Sequence, residues 1–330
     1  MLLALLAMSV LSAGSGFTVH FNLNSDHLVV LTHGVMGTGQ DLNYLGRLLE
    51  DAGCDIYKST SNENFKSLHG FKVGGERLAS EITKHVVANN HLRRISIVGN
   101  SLGGLYARYA LKLLYDDLEG TVCGLQPHRF LSIATPHLGV RDWTFVEDNG
   151  YYAPDIVKRV VARFMLSTGR DIFGICEEGE ESLLLLMATD ESFLKPLRSF
   201  GLRRLYANLN RDLVVPLGTA AFLPNSAVQS LREQFKETSG IVTMLTSSTD
   251  KFMDLSAAVK HDSDIMMHSL DNLGWEKVIV NFPGVLPMAH NTICALSREP
   301  KWFYEGMLGF NAGQFVMSDA STWLTQTNTF

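Results

Sequence analysis

The chain has 330 residues, 46% of them apolar and 19% charged, and its 28 Lys+Arg against 34 Asp+Glu give a formal net charge of −6. That length suits one large domain with insertions or two ordinary ones, and the acidic balance offers no basic face to nucleic acid. With 28 Gly, 9 Pro and neither short repeats nor runs of like charge, collagenous, low-complexity and disordered classes are excluded and a compact globular chain is expected.

In chain order, residues 1–13 are strongly apolar and Ser-Ala-Gly-Ser-Gly follows at 12–16. The run is shorter than the roughly 20 residues of a bilayer span, and no Lys or Arg precedes Arg47. Residues 1–16 therefore read as a secretory signal, an uncleaved membrane-surface anchor or a buried edge of the fold. A single domain is expected over 17–330. His27 to Leu31 is a short apolar strand, Asp41 to Ala52 a helix with Leu42, Leu45, Leu48 and Leu49 at helical spacing, and Cys54 to Ser59 extended. Glu76 to Ala88 reads as a second helix, Arg94 to Val98 as a buried strand, and Leu102 to Leu118 as a helix presenting Leu102, Leu105, Tyr109 and Leu113 on one face. Phe130 to Ala134 is another strand. Strands alternating with helices predict an α/β fold whose parallel sheet is buried on both sides. From about 143 to 200 the pattern turns helical, a cap-like insertion, before strands resume at Arg204 to Asn208 and Lys277 to Phe282. Cys54, Cys123, Cys176 and Cys294 show neither C-x-x-C nor zinc-ligand spacing and read as buried thiols. No N-x-S/T sequon is present.

Gly99-Asn-Ser-Leu-Gly103 matches G-x-S-x-G, directly after a strand and directly before a helix, the setting this motif needs. The sharp turn strains the serine backbone, and only small residues at Gly99 and Gly103 avoid the neighbouring strand and helix. The Ser101 hydroxyl then stands clear of the sheet while the Leu102 amide, at a helix N-terminus, is aimed at a developing oxyanion. Serine needs a base, and the base a group that orients it. In the chain order Ser, acid, His, Asp212 is the acid that follows a strand on a short loop, and His290 is the histidine beyond the last strand, on the loop before Asn291 to Leu296. That is the carboxyl edge, where all three must converge. Val35, in His33-Gly-Val-Met-Gly37, is the expected second oxyanion donor, with Met36 as fallback. Gly37-Thr-Gly39 imitates the start of a dinucleotide loop, but Leu42 stands where a third glycine would be. H-E-x-x-H and other metal-ligand spacings are also absent. Neither a cofactor nor a metal is expected.

Six ordered segments together resemble the serine esterase family of eukaryotic α/β-hydrolases, a lipid-hydrolase branch that includes fungal monoacylglycerol lipases. They are H-L-V-V-L-T-H-G-V-M-G (27–37), S-N-E-N-F (61–65) with G-G-E-R-L-A-S-E-I (74–82), G-N-S-L-G-G-L-Y-A-R-Y-A (99–110), A-T-P-H-L-G (134–139), L-Y-A-N-L-N-R-D-L-V-V-P (205–216) and A-H-N-T-I (289–293). The resemblance spans about 27 to 320 and implies an α/β-hydrolase fold with Ser101, Asp212 and His290 as its triad. Asn100 departs from it, since a histidine commonly precedes the serine in such lipases; its side chain is expected to face away from the reacting atom. His137, which precedes Asp212, is read as structural, a satisfied histidine on a rigid loop lining the pocket.

The expected activity is hydrolysis of a lipid-like carboxylic ester, a mono- or diacylglycerol or a lysophospholipid. Apolar pairs such as Ile156-Val157, Val160-Val161, Phe164-Met165 and Phe193-Leu194, with Leu183 to Leu186, would form a lid that receives the chain. Membrane-surface association would accompany such a substrate; nucleic acid would not. A catalytically silent hydrolase fold and an acyltransferase with the same triad are the alternatives.

Overall fold

The sheet begins where the hydropathy pattern places it. Strand β1 (His27–Thr32) is buried along its whole length, with Leu28 and Val30 entering one apolar cluster and Val29 and Leu31 the opposite one. A strand that alternates between two buried faces must be covered by helices on both. The structure, a computed structural model, describes residues 25–142, 163–176, 179–247, 261–282 and 288–326. The apolar segment 1–16 and much of the expected cap (143–162 and 177–178) lie outside the described residues.

After β1 come α1 (Asn43–Asp51), β2 (Asp55–Lys58), α2 (Phe71–Ala88), β3 (Arg94–Asn100), α3 (Leu102–Leu114) and β4 (Gln126–Ile133). Helices α4 (Leu166–Ile172), α5 (Leu183–Thr189) and α6 (Glu191–Arg198) lead into β5 (Leu202–Asn208). The chain continues through α7 (Leu217–Ala221), α8 (Asn225–Gln234), β6 (Gly240–Thr246), α9 (Asp262–Asp271) and β7 (Glu276–Asn281). It closes with α10 (Ala289–Thr292) and α11 (Gln314–Thr325). The sheet order is β2-β1-β3-β4-β5-β7-β6. Every pair is parallel except β6 with β7. The order in which strands are added reverses between β1 and β3, since β2 lies on one side of β1 and β3 on the other, and β1 and β3 pair with Thr32 beside Gly99. In an open α/β sheet the crevice beyond the carboxyl ends at such a reversal is where ligands bind.

Several boundaries differ from the sequence reading. Helix α2 starts at Phe71, five residues early, because Gly74 and Gly75 are packing devices and not breakers: a side chain at either would run into the rings of Tyr106 and Tyr109 on α3. Helix α3 stops at Leu114, leaving Leu113 exposed instead of on the buried face. The chain then turns through a small hairpin in which the Asp116 carboxylate accepts from the amides of Leu118 and Glu119, the side-chain turn that competes with helix. Edge strand β6, half-exposed and without clean alternation, gives no periodic signal and was not anticipated, nor was α11, which with α1 covers one sheet face. Of the four free cysteines only Cys294 is buried; Cys54 and Cys123 are half-buried and Cys176 is exposed. Thr135–Gly139 is core and does not line the cavity, while His137 is structural as expected, fully buried with its Nε2 2.9 Å from Ser132 Oγ and its carbonyl accepting from Arg108. Among the described residues of the expected cap, Leu184, Met187, Phe193 and Leu194 are buried in the main core cluster together with residues of α3 and α9, so α5 and α6 form part of the flanking layer.

Two buried histidines link this core to pH. Desolvation holds His27 down to about 3, with Arg94 adding to it, and holds His137 well below its ordinary value, with Arg108 adding to it. Below about 6.5 the unfolded chain takes up protons that these folded imidazoles refuse, so their contribution to stability is complete above that pH and is lost as pH falls, at up to about 1.4 kcal/mol per pH unit for each. Denaturant unfolding between pH 7 and 5 should show this loss. His27→Gln, which retains a hydrogen-bonding partner for Ser96, should make the slope shallower by about 1 kcal/mol per pH unit; an unchanged slope would refute the assignment.

Candidate active site

Ser101 sits between β3 and α3 with φ 54° and ψ −127°, a left-handed backbone that a non-glycine residue adopts only when its surroundings impose it. They do so from several sides. Ser101 N donates to Ile133 O at 2.7 Å, and Gly104 N donates to Ser101 O at 3.1 Å. A Cβ at Gly103 would overlap the carbonyl of Thr32 and lie 2.7 Å from that of His33; one at Gly99 would overlap the backbone of Gly104. The helix can therefore approach the strand ends only because these two side chains are missing. The β1 loop crowds the same point, since a Cβ at Gly34 would stand 2.7 Å from Ser101 Cβ and 3.1 Å from its Oγ.

His290 Nε2 lies 2.9 Å from Ser101 Oγ, and His290 Nδ1 lies 3.0 Å from Asp212 Oδ2. A carboxylate only accepts, so this contact assigns the proton to Nδ1 and leaves Nε2 free to accept from the serine hydroxyl. Asp212 is 4% exposed and its oxygens are saturated: Asn208 Nδ2 donates to Oδ2 at 2.7 Å, while the amides of Val214 and Val215 donate to Oδ1 at 3.0 and 2.8 Å. The loop bearing Asp212 and the segment bearing His290 are also joined through their backbones, by a bridge between Asp212 and Met288 and by Ala289 N donating to Arg211 O at 3.3 Å. His290 lies inside α10 and not on the loop before a helix; the turn starts two residues sooner than the sequence reading had it.

The amides of Val35 and Leu102 find no acceptor among the described residues. Met36 N, the fallback donor, instead donates to Ser67 Oγ at 2.8 Å, which removes it from the oxyanion role. A cavity of about 310 Å³ opens onto Ser101 and His290, walled by Gly34, Val35 and Met36 on one side and by Leu296, Arg298, Tyr304, Leu308 and Phe310 on the other. Leu296, Arg298, Tyr304, Leu308 and Phe310 come from the chain after His290, a stretch without a clear periodic pattern in the sequence. No described residue of the expected cap belongs to the cavity wall; Asn100 is buried and among its lining residues. Asn208, the partner that fixes Asp212, was also missed; its signal is a polar residue at a strand's carboxyl end, four positions before the acid. Among the described residues no cluster of His, Cys, Asp and Glu could hold a metal ion, and no helix is long and apolar enough to cross a membrane.

Residues 22–227 match the family described as Putative serine esterase (DUF676). Putative lipase ROG1 of Saccharomyces cerevisiae is 30% identical over 231 residues, covering 64% of this chain and 31% of its own length. Putative lipase C4A8.10 of Schizosaccharomyces pombe is 29% identical over 216 residues, covering 61% and 26%. This chain thus spans about a third or less of the length of the curated relatives it matches. Among solved structures, the lin2722 gene product of Listeria innocua is 11% identical, with a TM-score of 0.44 over 92% of this chain and 96% of that one.

The overlap at Gly103 yields a stability prediction. Gly103→Ala should lower unfolding free energy by about 2 kcal/mol or more, the range of core overpacking. Gly306→Ala, where nothing lies within 4 Å, should change it by less than about 0.5 kcal/mol. Equal effects in denaturant titrations would contradict the close approach.

Proposed function

The chain belongs to the Putative serine esterase (DUF676) family, and from that premise we propose that it hydrolyses carboxylic esters through an acyl-enzyme. Ser101 is the nucleophile, His290 the general base and acid, and Asp212 the group that orients the imidazole. One observation carries the reading: residues 189 apart in sequence, Ser101 and His290, share a 2.9 Å contact, and the far side of the same ring meets a buried carboxylate at 3.0 Å.

In the first half-reaction Ser101 Oγ attacks the ester carbonyl carbon while His290 Nε2 takes its proton. The carbonyl π pair moves to oxygen, where the amides of Val35 and Leu102 receive the charge; one such donor is worth about 3 kcal/mol of barrier. Collapse of the tetrahedral intermediate expels the alcohol, which takes the proton from His290. Water then repeats the sequence on the acyl-enzyme: His290 takes its proton, the new tetrahedral intermediate collapses, and Ser101 leaves with that proton as the acid is released. Asp212 holds the imidazole tautomer and stabilises the imidazolium, without itself taking the proton.

The substrate is a lipid-like ester, a mono- or diacylglycerol or a lysophospholipid. This rests on the relatives that carry the description Putative lipase, and on the apolar lining supplied by Val35, Leu296, Leu308 and Phe310. Wild-type protein should be labelled by a fluorophosphonate, and labelling should vanish in Ser101→Ala and drop sharply in His290→Ala. Asp212→Asn should lower kcat about 10³- to 10⁴-fold. A folded wild type that neither labels nor turns over any ester would leave a binding module in its place; a preference for short soluble esters over long acyl chains would remove the lipid assignment alone.

A further inference from the structure

The cleft contains an ion pair that the proposed chemistry does not use. Arg298 Nε donates to Asp41 Oδ1 at 2.6 Å and Arg298 Nη2 to Asp41 Oδ2 at 2.8 Å, a two-pronged contact in which both oxygens are engaged. Asp41 is buried, and its Oδ1 also accepts from Thr38 Oγ1 at 3.2 Å. Exposed ion pairs fix little, but here the carboxylate is out of water and the guanidinium fork has one orientation that satisfies it. The pair also joins two parts of the site. Asp41 ends the loop that begins at Gly34 and includes Val35, whereas Arg298 follows His290 by eight positions, through the buried run Ile293, Cys294, Ala295 and Leu296.

We infer that the Asp41–Arg298 pair is a positioning device for the reaction, tying the 34–41 loop to the segment bearing His290 so that the Val35 amide is held at the oxyanion position. This rests on the serine-esterase reading above. Within the loop there is little slack: Gly37 N donates to Gly34 O, and a side chain at Gly37 would stand 2.7 Å from Asp41 Oδ2 and 2.8 Å from His33 Nδ1. On its outer side the loop is held by Ser67 Oγ at Met36 N, Glu63 at Gly39 N and Asn64 N at Gly37 O. On the side facing the base, the hold is Arg298. A Cβ at Gly34 would stand 2.7 Å from Ser101 Cβ, so the loop lies close to the serine and a release on that side shifts the donor relative to the reacting oxygen; displacements on the order of 1 Å can cost about 100-fold in rate. Arg298 is a positioning residue: it acts through Asp41 on an amide, and touches no reacting atom in the mechanism.

The test uses the full chain and counts active sites by fluorophosphonate titration, so that misfolded protein does not enter the rates. Arg298→Ala should lower kcat per titrated site about tenfold or more while KM for a soluble ester stays within about twofold. Affinity for a trifluoromethyl ketone, whose adduct with the serine bears the same oxyanion, should fall by the same factor as kcat/KM. Arg298→Lys should recover little, because an ammonium cannot span both carboxylate oxygens. If Arg298→Ala fails to fold, the neutral pair Asp41→Asn/Arg298→Gln gives the same comparison. Labelled wild type with variants whose kcat per site and ketone affinity are unchanged overturns the positioning role alone. A wild type that is never labelled overturns the esterase reading and this inference with it.

Discussion

The structure depends on the close approach of α3 to the ends of β1 and β3. Two adjacent parallel strands leave the sheet in diverging directions, and the helix that follows β3 fits over the gap only because Gly99 and Gly103 have no side chains. That fit forces Ser101 into a left-handed conformation, turning the hydroxyl outward and the next amide toward the same space. The strain is local and the support is distributed: the Ser101 amide is held by β4, and the neighbouring loop by Ser67, Glu63 and Arg298.

The second requirement is electrostatic. Burying the Asp212 carboxylate would be costly without partners, and it has four donors: the Asn208 amide group, two backbone amides and the His290 ring. Three of these lie within four residues of Asp212 in sequence, so the loop after β5 shapes its own anion site and leaves one oxygen to share with the imidazole. The bridge from Asp212 to Met288 then sets where the base segment begins. A ring held in this way has its orientation settled before any ligand arrives, which under the proposed chemistry lets it accept a proton with little reorganisation.

The part of the sheet that flanks the site was readable because its strands carry short apolar cores such as Leu28 to Leu31 and Val278 to Val280, and the helices between them carry apolar stripes at helical spacing. Failures fall where that code is silent. Strand β6 packs at an edge and mixes exposed with half-buried positions; Gly74 and Gly75 look like breakers until the rings of Tyr106 and Tyr109 are seen to need the space; Leu113 keeps the helical period but lies just beyond what covers that face. His137, in a motif conspicuous enough to suggest a pocket, is a core residue tied to Ser132 and Arg108.

Chain order and local spacing point to Ser101, Asp212 and His290 as candidates, because a strand–turn–helix elbow and two strand-end loops are local features with local signatures, and the structure brings these three side chains within hydrogen-bond reach of one another. What no local pattern held was the pairing of residues far apart: Asp41 with Arg298, Met36 with Ser67, and the wall contributed by residues 296–310. Those depend on which strand lies beside which and how far each loop reaches past the sheet edge. That is decided by the packing of the whole domain, since a hydrogen bond across 257 residues has no counterpart in the sequence around either end.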